Sequence, residues 1–126
     1  PFKPKGCALI EIPITTVNLL GRNYPSGGGG FFRLLPMPYF FWALRRVNRR
    51  ENKPAVFYFH PWEIDPEQPR IAGAGRRARF RHYTNIGVME SRLERLLKAF
   101  SWCRMDDIFL DPEFLEDLPE TELTFN

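Results

Sequence analysis

Three features of the 126-residue chain predict an α/β fold. Short apolar runs alternate with segments of helical period, an order that follows βαβ logic and favours a parallel sheet or a barrel. The run Ala55-Val56-Phe57-Tyr58-Phe59 is apolar or aromatic without a break until it meets His60, as in a strand covered on both faces. Hydrophobic residues make up 44% of the chain and aromatic ones 15%, which suits one modest core in one domain and excludes a disordered chain.

Each element has its own signal. Ala8-Leu9-Ile10-Glu11-Ile12 reads as a strand stopped by Pro13, and Ile14 to Leu20 as its extended continuation. Asn23-Tyr24-Pro25-Ser26 and the four glycines Gly27 to Gly30 read as a loop. Tyr39, Ala43 and Val47, with Phe40 and Leu44 beside them, recur at helical spacing, and Arg45, Arg46, Arg49 and Arg50 stand where cations suit a helix C-terminus. They predict a helix from Pro38 to Arg50. After Pro54 comes the strand Ala55 to His60.

No period is visible from Pro61 to Ile86, a connection far longer than the usual ~4–6 residues and therefore of the kind that carries function. Met89, Leu93, Leu96, Leu97 and Phe100 then form one stripe of a helix from Gly87 to Ser101, with Glu94 four residues before Lys98. Trp102 to Phe109 is expected to form a short final strand, and residues 110–126 an acidic tail, at best partly ordered, so that the domain proper spans 1–109.

Charge is laid out unevenly around a net +3. Arg70 to His82, RIAGAGRRARFRH, has five arginines and no acid, whereas nothing after Arg104 is Lys or Arg. The first is a basic surface suited to an anionic partner, or simply a solvated segment. A nucleic-acid module fits the basic run poorly, because the acidic tail opposes it and no recognition motif is present, so no nucleic acid is expected as partner. Cys7 and Cys103 give no framework of bridges. No apolar run approaches the ~20 residues of a membrane span, and none is expected. The start, Pro1-Phe2-Lys3-Pro4-Lys5, lacks a methionine and suggests a fragment or a processed chain.

The candidate chemistry centres on the segment FHPWEID. Two roles fit His60: a strand-end histidine satisfied by a backbone carbonyl, or a general acid or base, since imidazole changes charge near neutral pH. Pro61 stiffens the exit from the strand, Trp62 offers a flat face for a sugar ring, and Glu63 and Asp65 can hold hydroxyl groups. The glycine run lacks the Lys-Ser/Thr of a phosphate loop and reads either as a flexible lip beside a groove, with Phe31, Phe32 and Arg33 as ligand contacts, or as a surface loop with Phe31 and Phe32 tucked into the core. His60, His82, Cys7 and Cys103 are too dispersed for a zinc site, and no nucleophile elbow appears.

Three words in order, LIEIPITTVNLLGRNYPSGGGGFFRLLP, RRVNRRENKPAVFYFHPWEIDPEQPR and RFRHYTNI, resemble the C-terminal half of bacterial polysaccharide deacetylases of exosortase-linked exopolysaccharide loci, over Gly6 to Asp107. The resemblance implies a NodB-like carbohydrate esterase, with this chain as the C-terminal portion of a distorted (β/α) barrel. It implies hydrolysis of N-acetyl groups on a polysaccharide, with a divalent metal, commonly zinc, in the full-length enzyme. The general acid that protonates the departing amine matches His60.

The chain departs from the family at two points. Tyr58 replaces a frequent leucine, and the early aspartate pair and two-histidine metal motif are not in this sequence. No metal is therefore expected within the chain, its metal-binding partner being the upstream part of the same catalytic domain, and the chain alone is expected to be inactive. A non-catalytic carbohydrate-binding or structural module, with Trp62, Phe31 and Tyr83 as stacking faces, is the alternative.

Overall fold

A computed structural model describes residues 1–6 and 8–122; Cys7 and the last four residues of the acidic segment lie outside them. In chain order the elements are β1 (Lys3–Pro4), β2 (Thr16–Leu19), β3 (Arg22–Pro25), α1 (Gly29–Leu34), α2 (Met37–Arg50), a 3-10 helix (Pro61–Ile64) and α3 (Arg76–Tyr83). A second 3-10 turn (Ile86–Val88) leads into α4 (Met89–Ala99), followed by α5 (Met105–Phe109), α6 (Pro112–Glu116) and β4 (Glu120–Thr121).

The described residues are of mixed helix and strand, α/β in the general sense. Their strands form two pairings, β1 with β4 in parallel and β2 with β3 antiparallel, and no barrel. Among them no helix is long and apolar enough to cross a membrane. The chain divides into two units, Ile14–Ser101 and Pro1–Pro13 with Trp102–Asn126.

The larger unit is built on the apolar stripes of α2 and α4. Phe40 and Leu44 from α2, Met89 and Leu96 from α4 and Phe32 from α1 are almost wholly buried together. Phe32 meets the edges of Phe40 and Phe57 at ring distances of 5.0 and 5.1 Å, the geometry that aromatic quadrupoles prefer. Pro38 stands in the first turn of α2, where its missing N–H has no partner to lose. β2 and β3 form a hairpin whose turn residues Leu20 and Gly21 both have positive φ, 54° and 79°, the combination a two-residue turn needs to match strand twist. The Asn18 amide supports it, donating to Asn23 Oδ1 and accepting the Gly21 N–H.

In the smaller unit, Phe2 and Glu11 exchange backbone hydrogen bonds of 3.0 and 2.9 Å. Lys3 pairs with Glu120 and Pro4 with Thr121, and the Lys3 ammonium donates to the Leu115 carbonyl at 2.7 Å. Asp111 caps α6, its Oδ1 accepting the Glu113 and Phe114 N–H groups.

Four expectations change. Of Ala8 to Ile12 only Glu11 is bridged, because Pro13 ends the run before a ladder can form. The segment Ala55–His60 is extended but makes a single bridge, Tyr58 to Gly28, so it is no sheet strand. The glycine run is buried and its second half opens α1, instead of forming a flexible lip. Residues 105–109 are helical, not extended, with Asp106 and Asp107 in a first turn where acids suit the helix dipole.

Candidate functional site

The site begins where the glycine run meets the extended segment. Tyr58 N–H donates to Gly27 O at 2.8 Å and Gly29 N–H to Tyr58 O at 2.9 Å. The two backbones approach too closely for side chains. A Cβ on Gly27 would lie 2.3 Å from the Val56 carbonyl oxygen, and one on Gly29 would lie 2.3 Å from Glu63 Oε2 and 2.9 Å from Phe59 Cβ. The glycines are there to be thin.

Directly beyond them lies a buried ion pair. Arg33 and Glu63 are each 3% exposed. Arg33 donates from Nε to Glu63 Oε1 at 3.2 Å, with Nη2 3.1 Å from the same oxygen. Its remaining donors go to backbone: Nη1 to His82 O (2.9 Å) and Thr84 O (2.8 Å), Nη2 to Arg81 O (3.3 Å). These are C-terminal carbonyls of α3, which have no intrahelical partner, so one guanidinium caps a helix that starts 43 residues later in the chain. Glu63 Oε2 accepts the His60 N–H at 2.9 Å, while the Glu63 N–H returns to His60 O at 2.9 Å. The backbone of His60 is thereby fixed to the pair.

A similar device holds α1. Arg92 of α4 donates to Arg33 O and Leu35 O at the end of α1 and lies over the Phe32 ring, 5.1 Å from its centroid. Burial, then the charge of Arg95, draw the Arg92 guanidinium below the usual arginine value.

On this support stand three aromatic rings. His60 and Trp62 stack face to face, centroids 4.0 Å apart and planes within 8°. Tyr58 meets the imidazole edge-on at 5.5 Å. All three border an open cleft of about 660 Å³, together with Phe31, Gly28 and Gly30 and with Arg77, Arg81 and His82 of α3. Trp62 is 44% exposed, Tyr58 41% and Phe31 48%, leaving broad apolar faces to a ligand.

The residues singled out in the sequence thus separate into three groups. His60, Trp62, Tyr58 and Phe31 come together on the cleft with open surface. Arg33 and Glu63 border the same cleft but are buried and engaged with each other and with backbone. Asp65 is exposed at the exit of the 3-10 helix, its Oδ1 accepting the Glu67 N–H at 3.0 Å.

Sequence reasoning read Arg77, Arg81 and His82 as part of a basic surface but did not place them beside this turn. Gln68 donates to the Trp62 and Asp65 carbonyls and its Oε1 lies 2.7 Å from His82 Nε2, tying the FHPWEID turn to α3. Tyr83, read as a stacking face, accepts the Ile71 N–H and donates to Pro69 O. The spacing of Arg77 and Arg81, four apart in a basic run, was the available signal.

Among the described residues, no group of three or more His, Cys, Asp or Glu side chains is placed to hold a metal ion, so this part of the chain does not fit a metal centre. A family model described as a domain of unknown function (DUF3473) matches residues 1–110, a domain associated with the C-terminal regions of polysaccharide deacetylases. No curated protein and no solved structure matches the chain.

Proposed function

The chain belongs to the DUF3473 family, and from that membership we propose that it is the C-terminal portion of a polysaccharide deacetylase, a NodB-like (β/α) barrel enzyme that hydrolyses N-acetyl groups of an exopolysaccharide. The observation that supports this most is the His60–Trp62 stack opening onto the cleft. In this reading water adds to the acetyl carbonyl carbon while its proton passes to an aspartate of the upstream part, the C–N bond breaks, acetate leaves, and the His60 imidazolium gives its proton to the departing amine nitrogen. Trp62, with Tyr58 and Phe31, provides faces on which sugar rings lie.

Glu63 and Arg33 are positioning residues, because Glu63 holds the main chain of His60 and Arg33 holds Glu63. The partners are an N-acetylated polysaccharide and the remainder of the same catalytic domain. A divalent metal, zinc in this reading, belongs to that remainder, and no step of the described residues runs through it.

The test is acetate release from N-acetylated oligosaccharide by the intact enzyme. His60→Ala should lower turnover by ~10²–10⁴ with metal content unchanged. Trp62→Ala should raise KM. Full turnover in His60→Ala, or metal lost in parallel with activity, would refute the role of His60. A non-catalytic carbohydrate-binding role, which the open aromatic faces also suit, would leave turnover indifferent to His60 while Trp62→Ala still weakens binding.

A further inference from the structure

The lining of the cleft has an unusual charge balance. Arg33 and Glu63 neutralise each other within it. Arg77 and Arg81 are exposed, border the cleft, and among the described residues their guanidinium groups meet no carboxylate within ion-pair distance. Among the described residues, no Asp or Glu other than Glu63 borders the cleft. The open charge of the site is therefore positive.

Helix α3 is assembled at a cost that an anion would relieve. It buries no residue, and its first turn holds Arg76 and Arg77 with no acid, at the end of the dipole where cations are unfavourable. Arg77 and Arg81 are also like charges one turn apart, a further destabilising term. Against these stands the Arg33 cap at the other end. That cap, with the Gln68 links, holds the arginine pair beside the aromatic rings instead of leaving it to swing in solvent. A negative ligand group held by the two arginines would turn the repulsion into charge-assisted hydrogen bonds.

We infer that the cleft takes an acidic saccharide: a sugar ring on the Trp62 side and, on the same ligand, a carboxylate held by Arg77 and Arg81. The inference rests on the carbohydrate reading of the site and narrows it to N-acetylated chains that carry uronic acids.

Titration of the intact enzyme with two tetrasaccharides separates the two readings. One is the N-acetylglucosamine tetramer, which is neutral; the other is the hyaluronan tetrasaccharide, in which N-acetylglucosamine alternates with glucuronate. The hyaluronan fragment should bind about tenfold more tightly, and the advantage should shrink as salt rises from about 0.05 to 0.5 M. The ratio should fall toward one in R77Q/R81Q and persist in R77K/R81K, which keeps the charge and guards against a folding artefact.

Equal affinities for the two tetrasaccharides would overturn the inference and leave the carbohydrate reading standing. Binding of neither would overturn both. An oligothymidylate bound as tightly as hyaluronan would overturn it in favour of a patch that takes any polyanion.

Discussion

Arg33 carries a charge into surroundings that leave it 3% exposed, and the question is what repays its lost hydration. One carboxylate and three carbonyls do so, and all three of its nitrogens are engaged. A buried pair of this kind is poor evidence of net stability compared with an apolar pair. Removing one partner, however, leaves the other charged and alone, at ~3–5 kcal/mol. Arg33→Met should therefore destabilise the larger unit by that amount in urea unfolding, and Arg33→Lys should recover only part, since an ammonium lacks the planar fork that reaches carboxylate and carbonyls together. A loss below about 1 kcal/mol for Arg33→Met would show that solvent already satisfies Glu63 and the carbonyls.

At the scale of elements, the glycine run gives the sharpest contrast. Alanine at 29 or 30 would raise helix propensity equally, yet the added Cβ meets Glu63 Oε2 at 2.3 Å from position 29 and nothing nearer than Glu63 Oε1 at 3.9 Å from position 30. Gly29→Ala should lower stability by ~1–3 kcal/mol, the cost of overpacking. Gly30→Ala should be neutral or stabilising by up to ~1 kcal/mol. Equal melting temperatures for the two variants would contradict the close approach.

Helices α2 and α4 were legible because each hides an apolar stripe: the expected Pro38–Arg50 and Gly87–Ser101 stand beside the observed Met37–Arg50 and Met89–Ala99. Helix α3 was not, because RRARFRHY buries nothing and owes its C-terminus to an arginine far away in sequence. Of the site, His60 and Trp62 could be read from FHPWEID alone. The burial of Arg33 and Glu63 could not, since a pair 30 residues apart has no periodic signature. Helix α6 of the acidic segment had a readable cue in Asp111-Pro112-Glu113, a capping residue before a first-turn proline and acid.

Across the whole molecule, order should be unequal. The larger unit owns the cluster of Phe32, Phe40, Leu44, Met89 and Leu96, whereas the smaller one rests on two-residue strands, five-residue helices and the contact of buried Phe109 with Phe114 at 5.4 Å. Local opening free energies follow buried apolar contact. Native-state hydrogen exchange should find the amides of Lys3 and Lys5, which bond to Pro119 and Thr121, exchanging well before those in the middle of α2 and α4. Uniform protection would mean that the two units open as one.

The parallel pairing of β1 with β4 also sets a timetable for synthesis. Lys3 is added before its partner Glu120, which follows only after everything between them. At ordinary elongation rates that interval is on the order of ten seconds, far longer than the microseconds in which a helix forms. During it, β1 is a nascent strand without a mate, and the aromatic core of the larger unit has time to close before the two ends of the chain meet.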